Sequence, residues 1–208
     1  MDIEFRSFIQ RLIKGAKDVL FRDVIKEASN HEIIEVNNDY LEIINKIRDS
    51  LKKSLPNISK SIEKKFKRRV NELSNYLEVV VQNHINHNLI GFQAYRPLVG
   101  TKKQSAGYPD LIVRSNKKFF YLEVKIYQKK TIDSSLRSFY FQPSKNNKIS
   151  ESCPHLLIGF EVESLGLENK SPFRIKDFKI IDLYELKVDL KPEFNANNPA
   201  IYFGCKEI

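Results

Sequence analysis

Two short segments of this 208-residue chain carry residue types that could do chemistry on a phosphate. Pro109-Asp110 comes first, and Glu123-Val124-Lys125 follows after twelve intervening residues. Because side chains alternate along a strand, Glu123 and Lys125 would share one of its faces. Paired Asp and Glu oxygens suit a hard divalent ion such as Mg²⁺, which keeps positions open for water and a phosphate oxygen. The lysine would add positive charge beside an attacking water and a reacting phosphate, so the pattern is suited to metal-assisted chemistry on a phosphate group.

A predicted β-hairpin must position these residues. Residues 110–114 and 118–128 have the composition of strands, and the residues between them are suited to a turn. A two-residue turn at 116–117 would set the register so that Asp110 lies directly opposite Glu123. The two carboxylates would then converge within reach of one cation.

The hairpin resembles the catalytic motif of the PD-(D/E)xK nuclease superfamily, and the matching residues are Pro109, Asp110, Glu123 and Lys125. In the order of its elements, the resemblance covers roughly residues 57–208. It implies a metal-dependent phosphodiesterase, usually one that cuts DNA, with Asp110 and Glu123 as Mg²⁺ ligands and Mn²⁺ as a substitute ion. It also implies that Lys125 positions or activates the nucleophilic water.

Members of this superfamily often carry one more acidic residue on the first core helix, and Glu72 and Glu78 are the two candidates here. At about 100° per residue, Glu78 lies at the edge of an apolar stripe centred on Leu77. Glu72 lies about 140° to the other side, on the face expected to meet solvent. We therefore expect Glu78 to be the third catalytic and metal-binding carboxylate, with Glu72 as the alternative.

The net charge of +9 favours a polyanionic partner. Residues 91–150 alone carry an excess of that size, whereas residues 1–55 are neutral and residues 151–208 are acidic. The basic excess therefore surrounds the candidate site. The candidate DNA-binding side chains are Lys102, Lys103, Gln104, Gln128, Arg137 and Ser138.

Apolar residues at spacings of three and four predict helices over 4–28, from about Asn37 to Leu55, and over 57–86. A switch to alternating patterns predicts further strands over 91–97, 155–162, 178–186 and 200–204, with a basic loop over 97–108. We expect an α/β fold with a restriction endonuclease-like mixed central sheet flanked by helices. Residues 1–55 would form a helical N-terminal extension, and residues 56–208 the nuclease core.

Composition narrows the class of protein further. Residues 1–208 contain no apolar run long enough to span a bilayer, and the first residues lack the basic region of a signal peptide. Two cysteines are too few for a disulfide framework. A cytoplasmic protein with no membrane partner is the resulting expectation, and His155, at the start of an apolar strand, is expected to be structural.

The leading hypothesis is a type II restriction endonuclease-like enzyme that hydrolyses double-stranded DNA at a short specific sequence. The resemblance implies a homodimer, with a cognate DNA methyltransferase as a genetic rather than a physical partner. One alternative is a structure-specific nuclease, such as a Holliday-junction resolvase or a repair nuclease. Another is a catalytically silent DNA-binding module of the same fold, against which the intact Asp110, Glu123 and Lys125 argue.

Overall fold

A computed structural model of the chain describes residues 3–99, 102–103, 107–116, 118–134, 138–143, 147–166 and 172–192. The helices are α1 (Ile3–Lys14), α2 (Phe21–Ser29), α3 (Asn38–Lys65) and α4 (Val70–Asn88). The strands are β1 (Ala16–Leu20), β2 (Phe92–Tyr95), β3 (Leu98–Val99), β4 (Lys102–Lys103), β5 (Leu111–Ser115), β6 (Lys118–Tyr127), β7 (His155–Ser164), β8 (Phe173–Asp182) and β9 (Lys187–Leu190). The chain divides into two compact units, one of Met1–Leu20 with Lys187–Ile208 and one of Phe21–Leu186.

The first unit contains α1 and an antiparallel pair formed by β1 and β9. The prediction of one helix over 4–28 is therefore wrong. Gly15 ends α1 with a φ of +65°, and its N–H bonds the carbonyls of Arg11 and Leu12. A Cβ at Gly15 would clash with the carbonyl oxygen of Leu190, so glycine is required both for the turn and for the close approach of β9. Apolar spacing alone did not reveal this interruption.

Helix α3 begins as expected, with the side chain of Asn37 accepting a hydrogen bond from the N–H of Tyr40. The predicted end at Pro56 is wrong, because α3 continues through the proline to Lys65. Residues of the same helix are buried on both sides of Pro56, Leu51 before it and Ile62 after it. Burying that continuous face outweighs the roughly 3 kcal/mol that an internal proline costs.

The long helix predicted over 57–86 is interrupted at residues 66–69, so helix α4 starts only at Val70. Phe66 leaves helical geometry at the end of α3 and is buried, with its ring 5.7 Å from Tyr76 and 6.0 Å from Phe173. Because Phe66 also fits the apolar stripe, the spacing of the stripe could not show that the helix breaks there.

The second unit contains a five-stranded sheet in the order β2-β5-β6-β7-β8. Strands β6 and β7 are parallel, and the other neighbouring pairs are antiparallel. The apolar faces of α3 and α4 pack on one face of this sheet. That core includes Ile47 and Leu51 of α3, Leu77 and Val81 of α4, and Leu122, Val124 and Ile158 of the sheet. The predicted mixed α/β fold, with a central sheet flanked by helices, is confirmed.

Two strand predictions need correction. The strand predicted over 178–186 occupies Phe173–Asp182, paired along its length with β7. Its inward side chains include Phe173 and Ile175, with the exposed Arg174 between them. Part of the loop predicted over 97–108 forms the short β3–β4 pair. The strand predicted over 200–204 lies outside the described residues.

Candidate active site

The β5–β6 hairpin has the predicted register, with Leu111 paired to Leu122 and Ser115 to Lys118. At the turn, Asn116 has a positive φ of 55°, a conformation that asparagine tolerates well. Continued by one residue, this register sets Asp110 against Glu123. The local turn and the alternation of side chains are therefore sufficient to bring the two carboxylates together.

Strand β5 begins one residue after Asp110. Opposite Asp110, the backbone of β6 therefore bonds the Asp110 side chain rather than the backbone of β5. Asp110 Oδ2 accepts a hydrogen bond of 2.8 Å from the N–H of Val124. The carbonyl of Val124 accepts another, also 2.8 Å, from the hydroxyl of Ser74 on α4. Asp110 and Ser74 thus hold the peptide groups of the residue that separates Glu123 from Lys125.

Glu123 is 3% exposed, and its Oε1 accepts a hydrogen bond of 2.5 Å from the Lys125 ammonium. Among the described residues, its Oε2 has no hydrogen-bond partner although it is fully buried. Burial, followed by the charge of Asp110, raises the pKa of Glu123 to about 8. A buried oxygen without a donor, next to a second carboxylate, is a place where a cation would be stabilised.

Glu78 on α4 points toward the same site and is 8% exposed. Its Oε2 lies 3.3 Å from Arg96 Nη2. Burial, and then the charge of Asp110, raises the pKa of Glu78 to about 7. Glu72, the alternative, lies on the exposed side of the helix and pairs with Arg68 at 3.5 Å. The structure therefore brings Glu78 to the hairpin carboxylates and leaves Glu72 away from them.

Cationic side chains balance these carboxylates. On Lys125, burial lowers the pKa while the neighbouring Glu123 carboxylate raises it, and the net change is upward. Lys148, which the sequence did not single out, is 5% exposed and donates to the carbonyls of Gly107 and Pro109. Burial lowers the pKa of Lys148, and the negative charges of Asp110, Glu123 and Glu78 offset part of that change. The site is thus a group of acidic and basic side chains around the start of β5 and the central strand β6.

The donor set fits a divalent ion that prefers oxygen. Asp110 and Glu123 supply carboxylates, and the partnerless Oε2 of Glu123 supplies an unused pair of electrons. In the described ranges, no three Asp, Glu, His or Cys side chains form a group close enough to hold a metal by themselves. Asp110 and Glu123 are thus a pair, and Glu78 lies close enough to Asp110 for the charge of that carboxylate to help raise its pKa.

Comparison with known proteins connects this geometry to a family. The model of the family described as "Type II restriction enzyme MjaV family" matches residues 13–205. The "Type II restriction enzyme MjaV" of Methanocaldococcus jannaschii is 31% identical over 218 residues, which cover 96% of this chain and 91% of that protein. The chain belongs to the type II restriction enzyme MjaV family.

Membership of this family confirms the predicted resemblance to type II restriction endonucleases. It also shows that the chain is a site-specific deoxyribonuclease, as the resemblance implied. Within the residues that the structure describes, no helix combines the length and the apolar character needed to cross a bilayer.

The predicted DNA-binding residues are only partly described in the structure. Gln128 follows β6 directly and is half-buried, and Ser138 is exposed. Lys102 and Lys103 form β4, whose side chains are not described, while Gln104 and Arg137 lie outside the described residues. Their contacts with DNA stay predictions.

Sequence reasoning missed the residues that reach the site from distant elements. Ser74 contacts β6, Arg96 pairs with Glu78, and Lys148 contacts the segment that leads into Asp110. Spacing could have indicated Ser74, because it lies four residues before Glu78, and positions four apart share a helix face. For Lys148 the signal was weak, since one lysine in a lysine-rich segment does not stand out.

His155 lies beneath the site in an aromatic cluster. Its Nδ1 shares a 2.7 Å hydrogen bond with the hydroxyl of Tyr108, and its ring lies 4.8 Å from that of Tyr121. Among the described residues, its Nε2 is buried without a partner. The histidine is buried, and only one of its two nitrogens has a hydrogen bond among the described residues, so the expected satisfied structural group is matched only in part.

Burial lowers the pKa of His155 to about 3, which predicts a pH dependence of stability. In the unfolded chain His155 is protonated below about pH 6.5, whereas in the folded chain it stays neutral. The free energy of unfolding therefore falls as the pH falls. At pH 5 the loss should be about 2 kcal/mol relative to pH 8. His155→Gln should therefore show a shallower fall in unfolding free energy between pH 8 and pH 5, measured by urea denaturation. Parallel pH profiles of the variant and the wild type would contradict this assignment.

Proposed function

We propose that this chain is a Mg²⁺-dependent endonuclease that hydrolyses double-stranded DNA at a short specific sequence. One observation carries the proposal: the buried Oε2 of Glu123 has no partner among the described residues, yet it belongs to a carboxylate placed against Asp110 and Lys125. This arrangement is unfavourable for an isolated protein and is relieved by a divalent ion.

In the proposed site, Asp110 and Glu123 hold the ion, and Glu78 contributes a third carboxylate. When bound, Mg²⁺ supplies positive charge that stabilises the negative charge developing on the phosphate during hydrolysis. Mn²⁺ would substitute, because carboxylate oxygens suit both ions. The hydrogen bonds to Val124 and from Ser74 keep this part of β6 in place while the substrate binds.

Lys125 acts in the proposed reaction as a donor and a charge. Its side chain is 31% exposed, so its ammonium can meet a phosphate while still bonded to Glu123. There it orients the attacking water and offsets the charge on the phosphate oxygens. The water oxygen bonds to phosphorus and releases a proton to solvent, one backbone P–O bond breaks, and the departing oxygen keeps the electron pair and gains a proton from solvent.

The proposal extends to the way in which DNA binds. Gln128 and Ser138, with Lys102, Lys103, Gln104 and Arg137, would contact the duplex around the site. A homodimer would present two such sites, one to each strand of a palindrome. A cognate DNA methyltransferase would protect the host sequence as a genetic partner.

Digestion of phage DNA with and without Mg²⁺ tests the proposal directly. Discrete fragments that appear only with the ion are the expected result, and sequencing their ends gives the recognition site. Cleavage confined to branched DNA would instead indicate a resolvase. DNA binding without any cleavage in Mg²⁺ or Mn²⁺ would indicate a silent binding module. Light scattering of the same protein on a palindromic oligonucleotide measures whether two copies bind.

Glu78→Gln and Glu72→Gln form a matched pair, because both remove one carboxylate from α4. We expect Glu78→Gln to raise the Mg²⁺ concentration needed for half-maximal cleavage by about tenfold or more, as loss of a residue supporting a metal site typically does. Glu72→Gln should leave it unchanged, because Glu72 faces Arg68 on the exposed side. Equal shifts in the two variants would contradict the assignment of Glu78.

A further inference from the structure

Lys148 occupies an enclosed position next to the candidate site. The residue is 5% exposed, and lysine is rarely so deeply buried. The ammonium donates one hydrogen bond of 2.5 Å to the carbonyl of Gly107 and another of 3.0 Å to that of Pro109. Such contacts compensate the burial of the charge, and they also tie residue 148 to a segment 39 residues earlier in the sequence.

The segment that Lys148 holds leads directly into Asp110. Residues 107–109 precede β5, so the ladder between β5 and β6 does not include them. Gly107 has a φ of +82° and no Cβ, which makes this turn permissive in conformation. The two hydrogen bonds from Lys148 therefore supply a restraint that the sheet does not provide here.

Asp110 directly follows the segment that Lys148 and the buried Tyr108 hold. Its Oδ2 accepts a hydrogen bond of 2.8 Å from the N–H of Val124. This distance requires that the backbone of residues 107–109 keep its position relative to β6. A movement of one ångström in the turn would break that hydrogen bond and change the distance between the two carboxylates.

We propose that Lys148 is a positioning residue, which clamps residues 107–109 through two carbonyl oxygens and thereby holds the Asp110 carboxylate in its working position. The inference rests on the proposed function for the role of Asp110 in cleavage. It assigns to Lys148 a task different from that of Lys125, whose more exposed ammonium bonds Glu123 and faces the substrate. Lys148 acts through Asp110 and does not touch DNA.

A positioning role and a purely electrostatic role for Lys148 predict opposite changes in the affinity for a divalent ion when Lys148 is replaced. Lys148 carries positive charge close to Asp110, Glu123 and Glu78, so removal of that charge alone should tighten the binding of another cation. If Lys148 positions Asp110, its removal should displace a ligand and weaken ion binding instead. The sign of the change therefore separates the two explanations.

The test uses Lys148→Met, Lys148→Gln and the control Lys60→Met, which alters an exposed lysine of α3. Hydrogen exchange of the metal-free proteins is followed at the amide of Val124 and at other amides of β6. We expect Lys148→Met to accelerate exchange at Val124 about tenfold beyond any change elsewhere in the strand, because only the local restraint is lost. Lys148→Gln keeps N–H donors without the charge and should fall between Lys148→Met and the wild type.

Direct binding of Mn²⁺, measured by electron paramagnetic resonance, provides the second readout. We expect Lys148→Met to weaken it by about tenfold or more, with kcat for cleavage reduced and KM for DNA within about twofold of the wild-type value. Tighter Mn²⁺ binding would overturn the proposal in favour of a purely electrostatic role. Exchange at Val124 that rises only in step with the rest of β6 would overturn it in favour of general stabilisation.

These readouts also separate this inference from the proposed function. Failure of the wild type to cleave DNA would defeat the proposed function, while the exchange at Val124 would still decide whether Lys148 positions Asp110. If Lys148→Met does not fold, Lys148→Gln carries the same comparison. Lys148→Gln removes the charge and shortens the side chain. If this variant keeps the wild-type exchange rate at Val124 and the wild-type affinity for Mn²⁺, the clamp is contradicted.

Discussion

Asp110→Asn is expected to reduce the rate of DNA cleavage by about a thousandfold or more, because it removes a charge on which the proposed metal site depends. Asparagine can still accept the hydrogen bond from the N–H of Val124 through its amide oxygen. The fold around the hairpin should therefore survive, and the loss should lie in the reaction. Single-turnover cleavage of a DNA fragment containing the recognition sequence measures it.

The same variant predicts a change that does not depend on activity. An ion that binds only the folded protein stabilises it, by about 2.7 kcal/mol at a concentration of 100 times its Kd. Mg²⁺ should therefore raise the Tm of the wild type but not that of Asp110→Asn. Asp49→Asn, at an exposed position on α3, serves as the control and should behave as the wild type does. Substantial cleavage by Asp110→Asn, or an unchanged response of its Tm to Mg²⁺, would contradict the role of Asp110.

Lys125→Met is expected to lower kcat by about a hundredfold to a thousandfold, the range typical for removal of one group that stabilises charge in a transition state. Methionine keeps most of the length of the side chain but removes the ammonium that bonds Glu123 Oε1. Because the proposed interaction with the phosphate strengthens only during reaction, KM for DNA should change little. Binding of Mn²⁺ should be retained or tightened, since a nearby positive charge is removed.

A lysine on a strand elsewhere in the sheet provides the matched control for this variant. Lys176 is exposed on β8 and pairs with Glu163 at 3.5 Å. Lys176→Met should keep the cleavage rate of the wild type. If the two variants lose activity equally, or if Lys125→Met changes KM rather than kcat, Lys125 would act in binding and not in the reaction.

Much of the candidate site could be predicted because its central geometry is local. The turn at Asn116 and the alternation along β6 involve residues close in sequence, so the register of the hairpin followed from them. The position of Glu78 followed from helical periodicity around Leu77, and the structure brings this residue, not Glu72, toward Asp110. Such predictions hold because side-chain direction repeats with a fixed period in helices and strands.

The errors arose where distant parts of the chain decide the local conformation. Gly15 ends a helix beside Leu190, and Phe66 leaves its helix to pack near Phe173. Neither partner is adjacent in sequence, and both interruptions preserve an apolar pattern that is typical of a continuous helix. Pro56 failed as a helix stop for the related reason that burial along α3 outweighs the local penalty.

The sequence alone therefore determined which residues meet at the candidate site: two carboxylates and a lysine on a hairpin, within a basic segment suited to a polyanion. Tertiary structure decided how that chemistry is held in place. Ser74 donates a hydrogen bond to Val124, 50 residues away in sequence, and Lys148 donates one to Pro109, 39 residues away. Periodicity carries no information on such contacts, because they depend on how complete elements pack together rather than on the conformation of either segment by itself.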